Sequence, residues 1–197
     1  MRQETGSNPN SASKKVSIQV KLGGLSFSAE RRAVAMDAEE IELIIDTPRV
    51  TLAPQSEVPS DAATLLQLVG KPCHFDEQCV CSKPQNNIVA IMAINAKALA
   101  EITNRWGSRA HFTSPLADMR HSDERCLTVD ATERVCYLRL FDNGLQRAEA
   151  LNATTPEDTL YHISEWLGKE IAMPIYIKGS AATTKLLRKY FKRVICE

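Results

Sequence analysis

The sequence lacks any apolar segment long enough to cross a membrane as a helix. Its longest wholly apolar run, residues 88–94, has seven residues, whereas a membrane-spanning helix needs about 20. Residues 1–14 also lack the apolar core of a secretory signal and are rich in Ser and Asn, which predicts a disordered lead-in. We therefore expect a cytoplasmic protein with no membrane partner.

Cysteine is sparse as well. The chain has six cysteines, unevenly spread over 197 residues, which is unlike a secreted disulfide framework. The densest group of soft ligands is Cys73, His74, Cys79 and Cys81, and no second pair follows at the spacing of a zinc finger or zinc ribbon. We expect no structural disulfide, no zinc and no other cofactor.

The chain has no excess of charge of one sign, since 24 basic residues balance 24 acidic ones. A balanced chain has no overall field that attracts nucleic acid. Residues 178–197 contain six basic residues and one acidic residue, a composition that suits a basic helix in contact with nucleic acid or anionic lipid. The apolar stripe within this segment, formed by Leu186, Leu187, Tyr190 and Phe191, instead favours a helix that faces the core.

Common catalytic motifs are also missing. The sequence contains no Walker loop, no Gly-x-Ser-x-Gly, no His-Glu-x-x-His and no dinucleotide fingerprint. No catalytic residue can be named from it.

Periodicity and turn residues predict the elements of the first half. We expect a hairpin over residues 16–29 around Gly23-Gly24, strands at 41–45 and 50–53, and a short helix from an N-cap at Ser60 to Gly70. A strand at 88–94 that is covered on both faces, a helix from Asn95 to Gly107 and a strand at 110–113 follow. The order is β-β-β, helix, β, helix, β.

The second half repeats this order. Strands are expected at 126–130 and 135–141, followed by a hairpin turn at 142–144 and a third strand at 145–151. A helix capped by Thr155, a strand at 175–177, a helix at 185–191 and a strand at 193–196 complete it. We therefore predict an α/β protein with two similar lobes, residues 15–122 and 123–197, each a mixed sheet with flanking helices.

This duplicated order is similar to the actin-like ATPase fold of sugar kinases and actin, in which each lobe is a ribonuclease-H-like sheet. Three segments, VTLAP (50–54), IVAIMAINAKAL (88–99) and AHFTSPL (110–116), resemble an uncharacterised bacterial family, a domain of unknown function with that fold. The resemblance covers residues 15–197.

The resemblance implies a nucleotide site that this chain matches only in part. Members of the superfamily hold phosphates with two glycine-containing hairpins, place a carboxylate near the metal, and use a glycine pair at the adenosine. The first hairpin here keeps Gly23 and Gly24 but has Lys21 instead of the aspartate. The second hairpin keeps Asp130 but has Thr132 where the family has glycine. The adenosine motif retains Gly179 and Ser180.

Each of these residues also has a simpler structural explanation. A glycine pair serves any tight turn, an aspartate at a strand end is commonly a turn residue, and Ser180 would cap the helix that follows it. We therefore expect a non-catalytic binding or scaffold module with a degenerate nucleotide site, whose partner is another protein. The alternative is an ATPase or small-molecule kinase that reaches phosphate with lysines, and weak nucleotide binding without metal fits either hypothesis.

Overall fold

A computed structural model describes residues 15–20, 38–168, 170 and 172–197. The strands in these ranges are β1 (Lys15–Val20), β2 (Glu40–Ile45), β3 (Val50–Pro54), β4 (Glu77–Cys81), β5 (Ile88–Asn95), β6 (Ala110–Thr113), β7 (Arg125–Ala131), β8 (Val135–Asp142), β9 (Leu145–Asn152), β10 (Ile175–Lys178) and β11 (Val194–Cys196). The α-helices are α1 (Ala63–Leu68), α2 (Ala96–Trp106), α3 (Pro156–Leu167) and α4 (Ala181–Leu187). The predicted α/β class is confirmed.

The described strands form three sheets. One is parallel with the order β1-β2-β6, one is antiparallel with the order β3-β5-β4, and the third is mixed with the order β11-β10-β7-β8-β9. The parallel trio β7-β10-β11 of the mixed sheet matches the trio β1-β2-β6 in direction and in sequence order. The two predicted lobes and their boundary stay predictions.

Strand β5 is covered on both faces, as its continuous apolar run predicts. Residues 89–94 are all buried. Ala90, Met92 and Ile94 belong to the largest core cluster, while Val89, Ile91 and Ala93 pack in a smaller cluster with Leu66 of α1. The period of two along a strand sends these two sets to opposite faces.

The mixed sheet also lies between two cores. Cys136 and Leu138 of β8 pack with α3, α4 and β10, whereas Val135 and Tyr137 point the other way, into the cluster that contains β1, β2 and β5. The strand thus joins the first half of the chain to the second. Burial of this apolar surface is the main source of stability for the joint.

Several predicted helix ends are confirmed. The Asn95 side chain accepts hydrogen bonds from the first backbone N–H groups of α2, and Gly107 ends that helix with a positive φ of 52°. Thr155 caps α3, with Pro156 as the first helical residue. Among the described helices, none is both long and apolar enough to cross a membrane.

Other local predictions are wrong. Helix α1 has Ala62 at its N-cap position rather than Ser60, because Asp61 receives the hydrogen bond of the Ala63 N–H. Helix α4 covers 181–187 instead of 185–191, since Ser180 caps it earlier, and Tyr190 is exposed. Strand β4 was not predicted, because EQCVC has no clear apolar alternation. Residues 21–29 of the predicted hairpin lie outside the described ranges.

The Tyr137 hydroxyl forms polar contacts between β8 and the residues that follow β2. Tyr137 is fully buried, and its hydroxyl donates to Asp46 Oδ1 at 2.9 Å and accepts from the Thr47 N–H at 2.8 Å. Burial, reinforced by the Asp46 charge, raises the pKa of Tyr137 well above its ordinary value. The hydroxyl therefore stays protonated and remains a donor.

We expect Tyr137→Phe to lower the free energy of unfolding by about 1 to 3 kcal/mol, because it removes a buried hydroxyl that accepts from the Thr47 N–H and donates to the Asp46 carboxylate. Urea unfolding followed by fluorescence measures the change. Tyr190→Phe, at an exposed site, is the matched control and should be neutral. Equal stability of the two variants would contradict this account.

Candidate functional site

A cleft of about 830 Å³ lies where the carboxyl ends of parallel strands from two sheets meet. Its walls include Ile44 and Asp46 at the end of β2, Thr113 of β6, Asp130 of β7 and Lys178 of β10. Open α/β sheets bind ligands at such strand ends, and this volume is in the usual range for small-molecule pockets. The cleft is the candidate functional site.

Among the residues that the structure describes, the lining of the cleft is acidic. It contains five carboxylates and one ammonium group, together with many hydroxyl groups from Ser and Thr. The charged members are Glu42, Asp46, Asp118, Asp130, Glu133 and Lys178. A phosphate group in this part of the cleft would meet mainly repulsive charge.

Asp130 is held by a buried arginine. Arg139 of β8 is 2% exposed, and its guanidinium donates to Asp130 Oδ2 at 2.5 Å. The same guanidinium donates from Nε to the Thr128 hydroxyl at 2.7 Å and from another nitrogen to the carbonyl oxygen of Pro115. Asp130 therefore already has a cation as its partner, at the edge of the cleft.

Asp46 is held by hydroxyl groups. Its Oδ1 atom accepts from Tyr137 and lies 3.1 Å from the Thr132 hydroxyl. Thr132 also fixes its own turn, since its hydroxyl accepts from the Val135 N–H at 3.1 Å. Thr132 thus acts as a turn residue that reaches across to β2.

Asp118 is paired with Arg120. Arg120 Nε donates to Asp118 Oδ2 at 2.7 Å. Burial tends to raise the pKa of Asp118, but hydrogen bonds from Arg120 and the charges of Arg139 and Arg120 outweigh it, so this pKa is lowered. The carboxylate is therefore ionised and neutralised locally.

Gly179 and Ser180 meet the end of β7 at the cleft. A Cβ atom at Gly179 would lie 3.1 Å from Cβ of Ala131, so a larger residue would push the two strand ends apart. Ser180 caps α4, and its hydroxyl accepts from the Thr183 N–H at 3.1 Å. Both residues have structural tasks in addition to lining the cleft.

The amino end of α3 also reaches the cleft, but a capping box uses its donors. Asp158 Oδ2 accepts from the Thr154 and Thr155 N–H groups at 2.9 Å each, and the Thr155 hydroxyl accepts from the Asp158 N–H at 3.1 Å. These hydrogen bonds, led by that of the Thr154 N–H, lower the pKa of Asp158. An anion here would compete with a carboxylate that is already bound.

The structure thus brings together four of the predicted site residues, Asp130, Thr132, Gly179 and Ser180, around one cleft. Lys21, Gly23 and Gly24 lie outside the described ranges. Sequence reasoning missed Asp46, Asp118 and Arg139. An arginine in the middle of the apolar strand VCYLRLF was the available signal, since a buried charge needs a partner.

The expectation of no zinc was drawn from Cys73, His74, Cys79 and Cys81, and it stays a prediction. In the described parts of the chain, Cys73, His74, Cys79 and Cys81 do not bring three ligand atoms together, whereas His121, Glu124 and Cys126 each place one ligand atom within 4.8 Å of the others. This group lies away from the cleft lining.

No family model matches the sequence, and no curated protein matches it. Solved structures do match. A protein with actin-like ATPase fold and unknown function from Bacteroides thetaiotaomicron has a TM-score of 0.71 at 14% identity, and the match covers 98% of this chain and 94% of that one. This likeness confirms the predicted resemblance to a protein of unknown function with the actin-like ATPase fold.

Two further solved structures match with lower scores. An AlfA filament bound to AMPPNP has a TM-score of 0.40 at 15% identity, and the match covers 89% of this chain and 61% of that one. The cytoplasmic domain of EpsL, an inner membrane component of the type II secretion system of Vibrio cholerae, has a TM-score of 0.42 at 13% identity, with 88% and 92% covered. At these identities a likeness concerns the fold and not the activity.

We expect Asp130→Asn to lower the free energy of unfolding by about 3 to 5 kcal/mol, because it removes the carboxylate charge that the buried Arg139 guanidinium contacts directly. The control is Asp142→Asn, which removes an exposed partner of Arg125 and should cost less than about 1 kcal/mol. Denaturant unfolding of the three proteins provides the comparison. A loss no larger than that of the control would show that the pair is not needed for stability.

The capping box gives an acid-dependent prediction. Because the folded pKa of Asp158 is lowered from 3.8, its contribution to stability is present above the unfolded pKa and is lost as the pH falls through the folded one. We expect the stability difference between the native chain and Asp158→Asn to be constant near neutral pH and to shrink below about pH 4. Urea unfolding at several pH values measures it, with Glu157→Gln as the control. A pH-independent difference would refute the assignment.

Proposed function

We propose that this chain is a non-catalytic binding module that keeps the cleft of the actin-like ATPase fold without its magnesium-nucleotide chemistry. The observation that carries the proposal is the buried pair of Arg139 with Asp130. The resemblance implies a carboxylate near the metal of the nucleotide site, and Asp130 is the aspartate that matches the second hairpin of the family pattern. Here Oδ2 of Asp130 is bound to a buried guanidinium, whose positive charge offsets the attraction of this carboxylate for a metal.

Two other cleft carboxylates support the same proposal. Asp118 is paired with Arg120, and Asp46 accepts a hydrogen bond from the Tyr137 hydroxyl. These contacts use part of the hydrogen-bonding capacity of each carboxylate within the protein, and Arg120 offsets the charge of Asp118 that would attract Mg²⁺. The first hairpin has Lys21 where the family pattern has aspartate, and its ammonium group would repel Mg²⁺.

We propose another protein as the partner. Exposed large apolar side chains are concentrated in the short stretch that ends α1 and follows it, at Leu68, Val69 and Phe75. Phe75 in particular has its whole side chain in solvent. Contiguous apolar surface is characteristic of protein interaction sites, and Leu68 and Val69 are adjacent exposed apolar residues of this kind.

An ATPase or small-molecule kinase is the second candidate, favoured by the size of the cleft and by Lys178 in its wall. A lysine can bind phosphate as a point charge without metal. The two candidates differ in one respect, because only the enzyme requires magnesium-dependent turnover.

Calorimetric titration with ATP, with and without Mg²⁺, and phosphate release over several hours test the proposal. We expect no Mg²⁺-dependent heat of binding and no phosphate release above the protein-free blank, both for the native chain and for Lys21→Asp. Weak binding of ATP without Mg²⁺ is compatible with the proposal, because Lys178 can attract phosphate.

Asp130→Ala and Asp142→Ala are the matched variants, each checked for folding by circular dichroism. Magnesium-dependent phosphate release that Asp130→Ala abolishes and Asp142→Ala retains would overturn the proposal. That result would favour the ATPase or small-molecule kinase over the binding module.

A further inference from the structure

A second cluster of chemically active side chains lies outside the cleft, where the connection after β6 enters β7. His121 and Glu124 belong to this connection, and Cys126 is a fully buried residue near the start of β7. One ligand atom of each lies within 4.8 Å of the others. Imidazole, carboxylate and thiolate are the three side-chain types that bind zinc in proteins.

The imidazole is oriented from both sides. His121 Nδ1 lies 2.9 Å from Glu124 Oε1, and His121 Nε2 lies 2.5 Å from Glu197 Oε1. The ring also stacks on Tyr176 with a centroid distance of 4.0 Å and an interplanar angle of 18°. A histidine that binds metal through one nitrogen usually donates its other ring N–H to a carboxylate, and Glu197 is placed for that role.

The Glu124 carboxylate is oriented as well. The Tyr176 hydroxyl donates to Glu124 Oε2 at 2.8 Å, which leaves Oε1 directed at His121. Glu197, which receives His121 Nε2, is itself held by Arg120 at 2.9 Å. Two of the three candidate ligands, His121 and Glu124, are thus oriented by neighbouring groups, as in metal centres whose outer contacts tune affinity.

We propose that His121 Nδ1, Glu124 Oε1 and Cys126 Sγ form a zinc site, with Glu197 and Tyr176 as positioning residues. A tetrahedral zinc ion with bonds of about 2.0 to 2.3 Å holds its ligand atoms about 3.3 to 3.8 Å apart. His121 Nδ1 and Glu124 Oε1 are 2.9 Å apart, and the ligand atoms of the three residues all lie within 4.8 Å of one another, which is close to the spacing that zinc requires. Three protein ligands leave the fourth position to water, and the exposed carboxylate of Glu124 gives access to the ion.

This site is independent of the proposed function, because none of its three ligands lines the cleft. It also departs from the expectation of no zinc, which was based on Cys73–Cys81. The competing explanation is a metal-free ion-pair cluster in which a protonated His121 bridges Glu124 and Glu197. The two explanations differ in whether the chain binds zinc at this place. They also differ in the role of Cys126, since the thiol takes no part in those ion pairs but would be a ligand of the zinc.

The test uses the full chain after treatment with a chelator. Zinc is titrated against a chromophoric competitor, and Co²⁺ is added separately because a thiolate ligand gives an intense near-ultraviolet charge-transfer band. We expect one zinc per chain and a cobalt–thiolate band. We also expect affinity to fall at least 100-fold in Cys126→Ser and His121→Gln, and about 10-fold in Glu197→Gln.

The matched control is the double variant Cys79→Ser/Cys81→Ser, which removes two thiols of a different sheet, on β4, and should keep both the zinc and the band. Glu124→Gln alters an exposed side chain and provides a further ligand variant if Cys126→Ser does not fold. Absence of zinc binding at micromolar free zinc would overturn the proposal in favour of the ion-pair cluster. Loss of zinc in the double variant, with retention in His121→Gln, would also overturn it.

Discussion

A buried arginine ties the fold to the chemistry of the cleft. Arg139 lies in the central region of the mixed sheet and donates to Thr128 and Asp130 of the neighbouring strand and to the carbonyl of Pro115, which follows β6. A buried guanidinium is tolerated only when its charge and its donors are satisfied. The residues that meet this requirement include Asp130, which also lines the cleft, so a change in the contacts of Asp130 would affect both the cleft and the stability of the fold.

The elements that sequence reasoning predicted are those whose signals are local. The run at 88–94 is a strand because every residue in it is apolar, and the hairpin at 142–144 forms because Asn143 and Gly144 adopt positive φ values of 52° and 125°. Strand β4 was missed because its pairing partner, β5, determines it. The true start of α4 depends on the Ser180 hydroxyl rather than on the apolar stripe further along.

The residues of the candidate site also fall into two groups, those that the sequence indicates and those that only the fold brings together. Asp130 and Gly179 could be found because each matches a short motif, but Arg139 and Asp46 become part of the site only through strand adjacency and through contacts between distant segments. Asp46 meets Tyr137, 91 residues further along the chain. Neither composition nor spacing contains that information, since the order of strands in a sheet follows from packing of the whole chain.

A chain of charged contacts connects the cleft to the proposed zinc site at His121, Glu124 and Cys126. Asp118 lines the cleft and accepts from Arg120, Arg120 also binds Glu197, and Glu197 faces His121 Nε2. A ligand at one end can influence the other only if it changes how these shared groups divide their hydrogen bonds, because a coupling requires differential contacts in two states. Any such coupling is reciprocal, so a cation at His121 that strengthened binding in the cleft would be bound more tightly, by the same factor, when the cleft is occupied.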